Sequence, residues 1–79
     1  MDADELGPLH WEIIDIMEEG RENDDPWGYA TPRYLADRTG ESRQLVSQRL
    51  RDLQMGDVVE KVTRGFYELV PTEVPERDA

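Results

Sequence analysis

The 79-residue sequence contains no cysteine, one histidine and one lysine. Without cysteine the chain has no disulfide, no thiolate nucleophile and no zinc–thiolate site. A single histidine is too few for a histidine metal cage, and we expect His10 at the surface or the edge of the core rather than as a ligand or catalytic group. Nothing in the composition marks a carboxylate-only metal site, although such a site stays open. We therefore expect no cofactor, no metal and no enzymatic activity.

Long apolar runs are also missing. No stretch of the sequence approaches the roughly 20 apolar residues of a membrane-spanning helix. The first ten residues are acidic and lack the apolar centre of a signal peptide. We accordingly expect a soluble, cytoplasmic protein that makes no membrane contact. A chain of this length has room for one domain with a modest core, which buries about 60–65% of the surface of the unfolded chain.

Positive charge is scarce, because 19 acids outnumber nine bases and the formal net charge is −10. Residues 1–25 hold ten acids and one base, residues 26–64 hold five acids and seven bases, and residues 65–79 hold four acids and one base. Nucleic-acid-binding proteins usually show a basic footprint, so the total charge argues against DNA binding. The concentration of bases in the middle segment argues for it.

Lysine is rarer still, since eight of the nine bases are arginine. An acid-rich, lysine-poor composition resembles that of proteins from salt-loving archaea. At about 1 M salt the Debye length is roughly 3 Å, so distant acids barely repel DNA while close contacts still act. An ordinary acidic protein from any other host is the alternative interpretation.

Glycine and proline predict where the first elements begin and end. Proline favours the first helical position and glycine the position after the last, which predicts a first helix from Pro8 to Glu19 with Gly20 as its C-terminal left-handed residue. The next ten or so residues are predicted as a loop, within which residues 27–30 form a short edge strand.

Two further helices are predicted by their capping residues. Thr31 is the expected N-cap of the second helix, followed by Pro32, and Gly40 ends it. Ser42 is the expected N-cap of a third helix that runs to about Met55 and ends at Gly56. Two short helices joined by a tight turn are typical of a helix-turn-helix, although two generic amphipathic helices share the pattern.

The third helix has two chemically distinct sides. Val46, Leu50 and Leu53 recur at i, i+4 and i+7 and predict one buried stripe. The opposite side holds no acid except Asp52 at its flank. Arginine can bond guanine as a fork, glutamine can bond adenine likewise, and serine can bond a base edge or a phosphate. The residues expected on this side are Arg43, Gln44, Ser47, Gln48 and Arg51.

The end of the chain predicts a β-hairpin. Residues 58–63 and 66–70 read as two strands joined by a two-residue turn. The fold class expected is mainly α with a small β-hairpin (α+β), with three helices and a sheet of two or three strands. The expected domain covers residues 8–70, between an acidic N-terminal tail at 1–7 and a frayed, charged tail at 71–79.

Nearly the whole chain resembles a known family. The most specific part is TPRYLADRTGESRQLVSQRL at residues 31–50, with supporting segments WEIIDIMEEGR at 11–21 and DVVEKVTRGFYELV at 57–70. These residues resemble the archaeal winged helix-turn-helix regulators, particularly small haloarchaeal phage-repressor-like proteins. The resemblance implies the order helix, strand, helix, helix and two-stranded wing. It also implies that the third helix enters the major groove while the wing touches an adjacent groove or the backbone.

The resemblance extends the candidate DNA contacts beyond the third helix. It implies that Arg64 at the wing tip contacts the minor groove or a phosphate, and that Lys61 and Arg33 hold phosphates. We leave out Arg38 and Arg49, because these two arginines are expected to pair with Asp37, Glu41 or Asp52 instead. The full candidate set is Thr31, Arg33, Ser42, Arg43, Gln44, Ser47, Gln48, Arg51, Lys61 and Arg64.

These features predict a sequence-specific regulator of transcription that binds double-stranded DNA. One reading helix contacts few base pairs, so we expect a homodimer on a two-fold symmetric site. No small-molecule substrate is evident. The alternative is a winged-helix module that binds another protein of the transcription machinery, with the acidic N-terminal segment as its contact surface. A polar and basic third helix favours DNA, whereas an apolar or acidic one would favour protein.

Overall fold

The computed structural model describes residues 2–22 and 29–76. Over these residues the chain is an α+β structure of three α-helices and a three-stranded antiparallel sheet with strand order β1-β3-β2. This confirms the expected α+β class and is compatible with a winged helix. The elements are α1 (Pro8–Glu22), β1 (Tyr29–Ala30), α2 (Pro32–Thr39), α3 (Arg43–Met55), β2 (Val59–Thr63) and β3 (Phe66–Leu69), with 3₁₀ turns at Ala3–Glu5 and Pro71–Glu73.

Helices α2 and α3 begin and end where their capping residues predict. The Thr31 hydroxyl oxygen accepts a hydrogen bond from the Tyr34 N–H at 3.1 Å, and the Ser42 hydroxyl oxygen accepts one from the Leu45 N–H at 3.1 Å. Each bond satisfies one of the N–H groups that a helix leaves unpaired in its first turn. At the other end of α2, Gly40 adopts the left-handed conformation with φ of 76°.

The predicted end of α1 is wrong. The helix continues through Gly20 to Glu22, and Gly20 is buried within it rather than capping it. Gly20 follows Ile16 by four residues and Met17 by three, so it lies on the same helix face as two core residues. Packing of this face offsets the cost of about 1 kcal/mol that an interior glycine imposes on a helix.

The core lies between the three helices and one face of the sheet. The predicted stripe of α3, which consists of Val46, Leu50 and Leu53, is completely buried. These residues pack in one cluster with side chains of the other two helices and of all three strands. The largest fully buried side chains are Ile13, Ile14, Met17, Leu35, Val46, Leu50, Leu53, Val58, Val59 and Leu69. Among the described residues, no helix is long and apolar enough to cross a bilayer.

Both expected tails contribute to the core. Leu6 is buried in the cluster, and Val74 packs against it. The segment after β3 is also less frayed than expected, because Pro71–Glu73 forms a 3₁₀ turn. Leu6 and Val74 are apolar side chains in charged segments, so burying them stabilises the adjoining backbone. Residues 77–79 lie outside the described part of the chain.

The sheet confirms the predicted hairpin and part of the predicted edge strand. Strand β1 pairs with β3, whose other side pairs with β2, so β1 lies at an edge. The Tyr29 ring stacks on Phe66 with ring centroids 5.2 Å apart and planes inclined by 8°. A register shift between Lys61 and Thr63 interrupts the ladder near the tip of the hairpin. Trp27 and Gly28, the other half of the expected edge strand, lie outside the described residues.

Candidate nucleic-acid interface

The turn between α2 and α3 is fixed by side-chain hydrogen bonds as well as by Gly40. The Thr39 hydroxyl oxygen accepts a hydrogen bond from the Glu41 N–H at 3.2 Å, one residue before the N-cap of α3. Ala36, on the turn of α2 that precedes it, is 8% exposed. A small residue at this position allows the two helices to approach closely. The start of α3 is therefore held firmly relative to α2.

The side of α3 opposite its buried stripe is open to solvent. We call this side the outer face of α3, and it consists of Arg43, Gln44, Ser47, Gln48 and Arg51. All five side chains are exposed, as the helical spacing predicts. Helix packing therefore uses one side of α3 and leaves a row of polar side chains on the other.

The side chains of the outer face have no partner within the described chain. Neither Arg43 nor Arg51 makes a hydrogen bond or an ion pair there, and the same holds for Gln44, Ser47 and Gln48. Their donors and acceptors are satisfied by water in the isolated protein. They can exchange that water for a ligand without breaking an internal contact.

Three further cations of the candidate set are equally exposed. Arg33 lies in the first turn of α2, Lys61 on β2 and Arg64 in the hairpin turn, and none of them forms an ion pair within residues 2–22 and 29–76. Gly65, which follows Arg64, has φ of 75° and closes the tight turn. The remaining two candidates, Thr31 and Ser42, use their hydroxyl oxygens as helix caps, which leaves each O–H free to donate.

Arg38 is occupied by an internal contact. Its guanidinium donates to the Tyr34 hydroxyl at 2.7 Å and to the Glu19 carboxylate at 3.0 Å, and it lies 5.7 Å from the centre of the Tyr34 ring. The hydrogen bond to Tyr34 and then that to Glu19 raise the pKa of Arg38 above its ordinary value. Among the described residues Arg38 pairs with none of the expected partners Asp37, Glu41 and Asp52, so this prediction is wrong. Packing of α1 on α2 brings Glu19 into reach, whereas Asp37 is the sequence neighbour of Arg38 on the helix and does not face it. Glu41 lies beyond the end of α2 at Thr39.

Arg49 is also engaged, and here one of the expected partners is confirmed. Its Nη1 atom lies 4.0 Å from Oδ2 of Asp52, one turn along α3. The same carboxylate oxygen lies 2.9 Å from Nε2 of His10 on α1. His10 is 8% exposed, so the expected position at the edge of the core is confirmed. The sequence did not indicate its contact with α3, because 42 residues separate the two partners.

The hairpin has faces of different charge. Glu60 and Glu68 are directly opposite each other in the β2–β3 pairing, so one face carries two adjacent carboxylates. Because side chains alternate along a strand, Lys61 lies on the other face, which also carries the buried pair of Val59 and Leu69. The hairpin can therefore meet a phosphate through Lys61 and its tip, and not through the Glu60–Glu68 face.

An open cavity beside β2 lies outside this candidate interface. It is lined by Asp57, Val59, Glu60, Val70 and Glu73, so it carries three carboxylates and no base. A phosphate is repelled there. Within the described chain, no group of three or more histidine, aspartate or glutamate side chains is arranged to hold a metal ion.

Comparisons with protein-family models, with curated proteins and with solved structures found no match to this chain.

Proposed function

We propose that this protein is a winged helix-turn-helix regulator that binds double-stranded DNA in a sequence-specific manner. The observation that carries the proposal is the outer face of α3. In a chain with net charge −10, this face exposes two arginines, two glutamines and a serine, none with a partner in the described chain. The other side of α3 is anchored in the core, so the exposed side chains project from a rigid element.

The proposed mechanism separates base reading from positioning. On α3, Arg43 and Arg51 bond guanine edges as forks, and Gln44 and Gln48 bond adenine edges in the major groove. Ser47 bonds a base edge or a phosphate. The helix N-terminus directs its first N–H groups towards a phosphate.

The β2–β3 hairpin acts as the wing in this proposal. Arg64 at its tip contacts the adjacent minor groove or a phosphate, and Lys61 neutralises a phosphate nearby. Arg33 at the start of α2 neutralises another, assisted by the O–H donors of Thr31 and Ser42. Such contacts fix the register of a protein on the duplex and carry little sequence information themselves.

We further propose that the binding unit is a homodimer on a two-fold symmetric site. A single α3 reaches only a few base pairs, and a second copy doubles the number of specific contacts. Two-fold symmetry of the protein then requires two-fold symmetry of the DNA site, with the half-sites about one helical turn apart or a multiple of it. Sedimentation with and without the selected duplex measures this stoichiometry.

The decisive experiment compares arginines that have no partner within the described chain with one that does. A duplex is first selected from a random library by the wild-type protein at molar salt. Replacing both Arg43 and Arg51 with alanine should abolish retention of this duplex, because each fork contact contributes about 1–3 kcal/mol of discrimination. Circular dichroism should show unchanged helicity.

Arg38→Ala is the matched control for the single variant Arg51→Ala, since each removes one arginine charge from a helix. Arg38 is already held by Tyr34 and Glu19, so its loss should leave affinity for the duplex unchanged once the variant is folded. Equal losses in the two variants would show that net charge alone matters. A wild-type protein that retains no duplex contradicts the proposal and favours the protein-binding alternative, with the exposed acids of α1 as the contact surface.

A further inference from the structure

Asp52 is the single acid of α3. Its negative charge is unfavourable at this position for two reasons. It lies in the last turn of the helix, where the dipole disfavours negative charge. It also follows Gln48 by four residues, about 40° further around the helix, which places it beside the outer face. A carboxylate there would meet the phosphates of a duplex bound by α3. Contacts that hold this carboxylate away from the duplex would therefore favour binding.

His10 holds the Asp52 carboxylate from the α1 side. The Gly7 N–H donates to Nδ1 of His10 at 2.9 Å, so this ring nitrogen accepts and carries no proton. In the neutral ring the proton then lies on Nε2, which donates to Oδ2 of Asp52 at 2.9 Å. The His10 side chain is 10% exposed, so its ring is fixed by packing as well as by two hydrogen bonds.

Arg49 lies close to the same oxygen. Its Nη1 atom is 4.0 Å from Oδ2 of Asp52, so one carboxylate oxygen faces both His10 and a guanidinium. Both groups draw the carboxylate towards α1 and the flank of α3 rather than towards Gln48. The Asp52 side chain is nevertheless 47% exposed, which leaves it room to turn if these contacts are lost.

We propose that His10 is a positioning residue for DNA binding, which together with Arg49 holds the Asp52 carboxylate away from the phosphates that the outer face of α3 approaches. This inference rests on the proposed function. In this inference His10, which lies on α1, determines the position of the Asp52 carboxylate at the edge of the outer face of α3. His10 itself contacts no DNA.

The test is a double-mutant cycle on the duplex selected by the wild-type protein, with affinities measured at low salt, where an exposed charge is only weakly screened. His10→Phe retains a ring but removes both hydrogen bonds, and Asp52→Asn removes the charge while its amide oxygen still accepts from Nε2. We expect His10→Phe to weaken binding about fivefold, the size of one exposed charge interaction. Asp52→Asn should bind at least as tightly as the wild type. The double variant should bind like Asp52→Asn.

Two further measurements separate this role from a structural one. The loss in His10→Phe should shrink towards 1 M salt, where an exposed charge is screened, whereas a distorted α3 would lose affinity at every salt concentration. His10→Gln should restore binding, because its amide can accept from Gly7 and donate to Asp52. If His10→Phe fails to fold, Asp52→Asn still tests the inference, since it keeps the link between α1 and α3 and its weaker binding would overturn the inference.

The possible outcomes are distinct. Weaker binding by Asp52→Asn, or a His10→Phe loss that persists in the Asp52→Asn background, would show that the pair is only a structural link and would overturn the inference. Unchanged affinity in His10→Phe would overturn it as well, with the proposed function intact. A wild-type protein that binds no duplex removes both the proposed function and the inference that rests on it.

Discussion

Individual arginines of this protein differ in whether an internal partner already holds them. Arg38 donates to Tyr34 and Glu19, and Arg49 lies near Asp52, so contact with DNA would require each to give up an existing interaction. Arg43 and Arg51 have no such competitor in the described chain. The free energy of a new contact is largest where no internal contact is lost, which singles out the unpaired arginines.

A variant of Arg64 tests whether this residue positions the protein on the duplex or reads a base. We expect Arg64→Ala to weaken binding by a similar factor on the selected duplex and on a scrambled one, because a phosphate contact carries little sequence information. The slope of log affinity against log salt should become shallower by about 1. Fluorescence anisotropy titrations over a salt series measure both quantities. A loss confined to the selected duplex would mean that Arg64 reads a base.

Among the elements, the turn between α2 and α3 depends on the backbone conformation of a single residue. Gly40 has φ of 76°, and an added Cβ atom would meet no other atom within 4 Å. The cost of Gly40→Ala is therefore backbone strain alone, about 1–2 kcal/mol. For a domain of this size, each 1 kcal/mol lowers Tm by about 4–8 °C. Thermal unfolding followed by circular dichroism measures the shift.

Gly40→Asn is the control for this prediction, since asparagine tolerates the left-handed conformation better than alanine. We expect its Tm to lie between those of the wild type and Gly40→Ala. Equal stability of the wild type and Gly40→Ala would contradict the assigned backbone conformation. Equal destabilisation by both variants would instead point to a steric cost that the open surroundings of Gly40 do not predict.

Elements with local boundary signals were predictable from the sequence, and those determined by packing were not. Thr31, Ser42 and Gly40 act on neighbouring backbone groups, so the limits of α2 and α3 follow from local chemistry. Gly20 carries the same local signal as Gly40, but the burial of its helix face extends α1 past it. Leu6 joins the core for a similar non-local reason.

In the candidate site, too, local features were predictable from the sequence and contacts between helices were not. Exposure of the outer face of α3 follows from helical periodicity alone, and the structure confirms it. The contact of His10 with Asp52 and that of Arg38 with Glu19 each join two different helices. Such pairs depend on how helices pack, which no spacing rule within one helix can supply.

At the scale of the whole molecule, acids are concentrated in the first part of the chain and bases in the middle. Helix α1 exposes Glu12, Asp15 and Glu19 at successive spacings of three and four residues. Like charges at these spacings destabilise a helix at low ionic strength. A surface of this kind repels DNA over long distances, and molar salt removes this repulsion while leaving close contacts in place.

The charge distribution predicts that stability rises with salt. We expect Tm to increase between 0.05 M and 1 M salt, with most of the gain at the lowest concentrations, because screening of the acids on α1 weakens their mutual repulsion. Glu12→Gln should raise Tm at low salt and reduce its dependence on salt, since Glu12 is exposed and its charge adds to that repulsion. Thermal unfolding across a salt series measures both effects. A linear rise of Tm with salt that Glu12→Gln leaves unchanged would reflect salting-out of apolar surface instead. A Tm independent of salt would contradict adaptation of this chain to high salt.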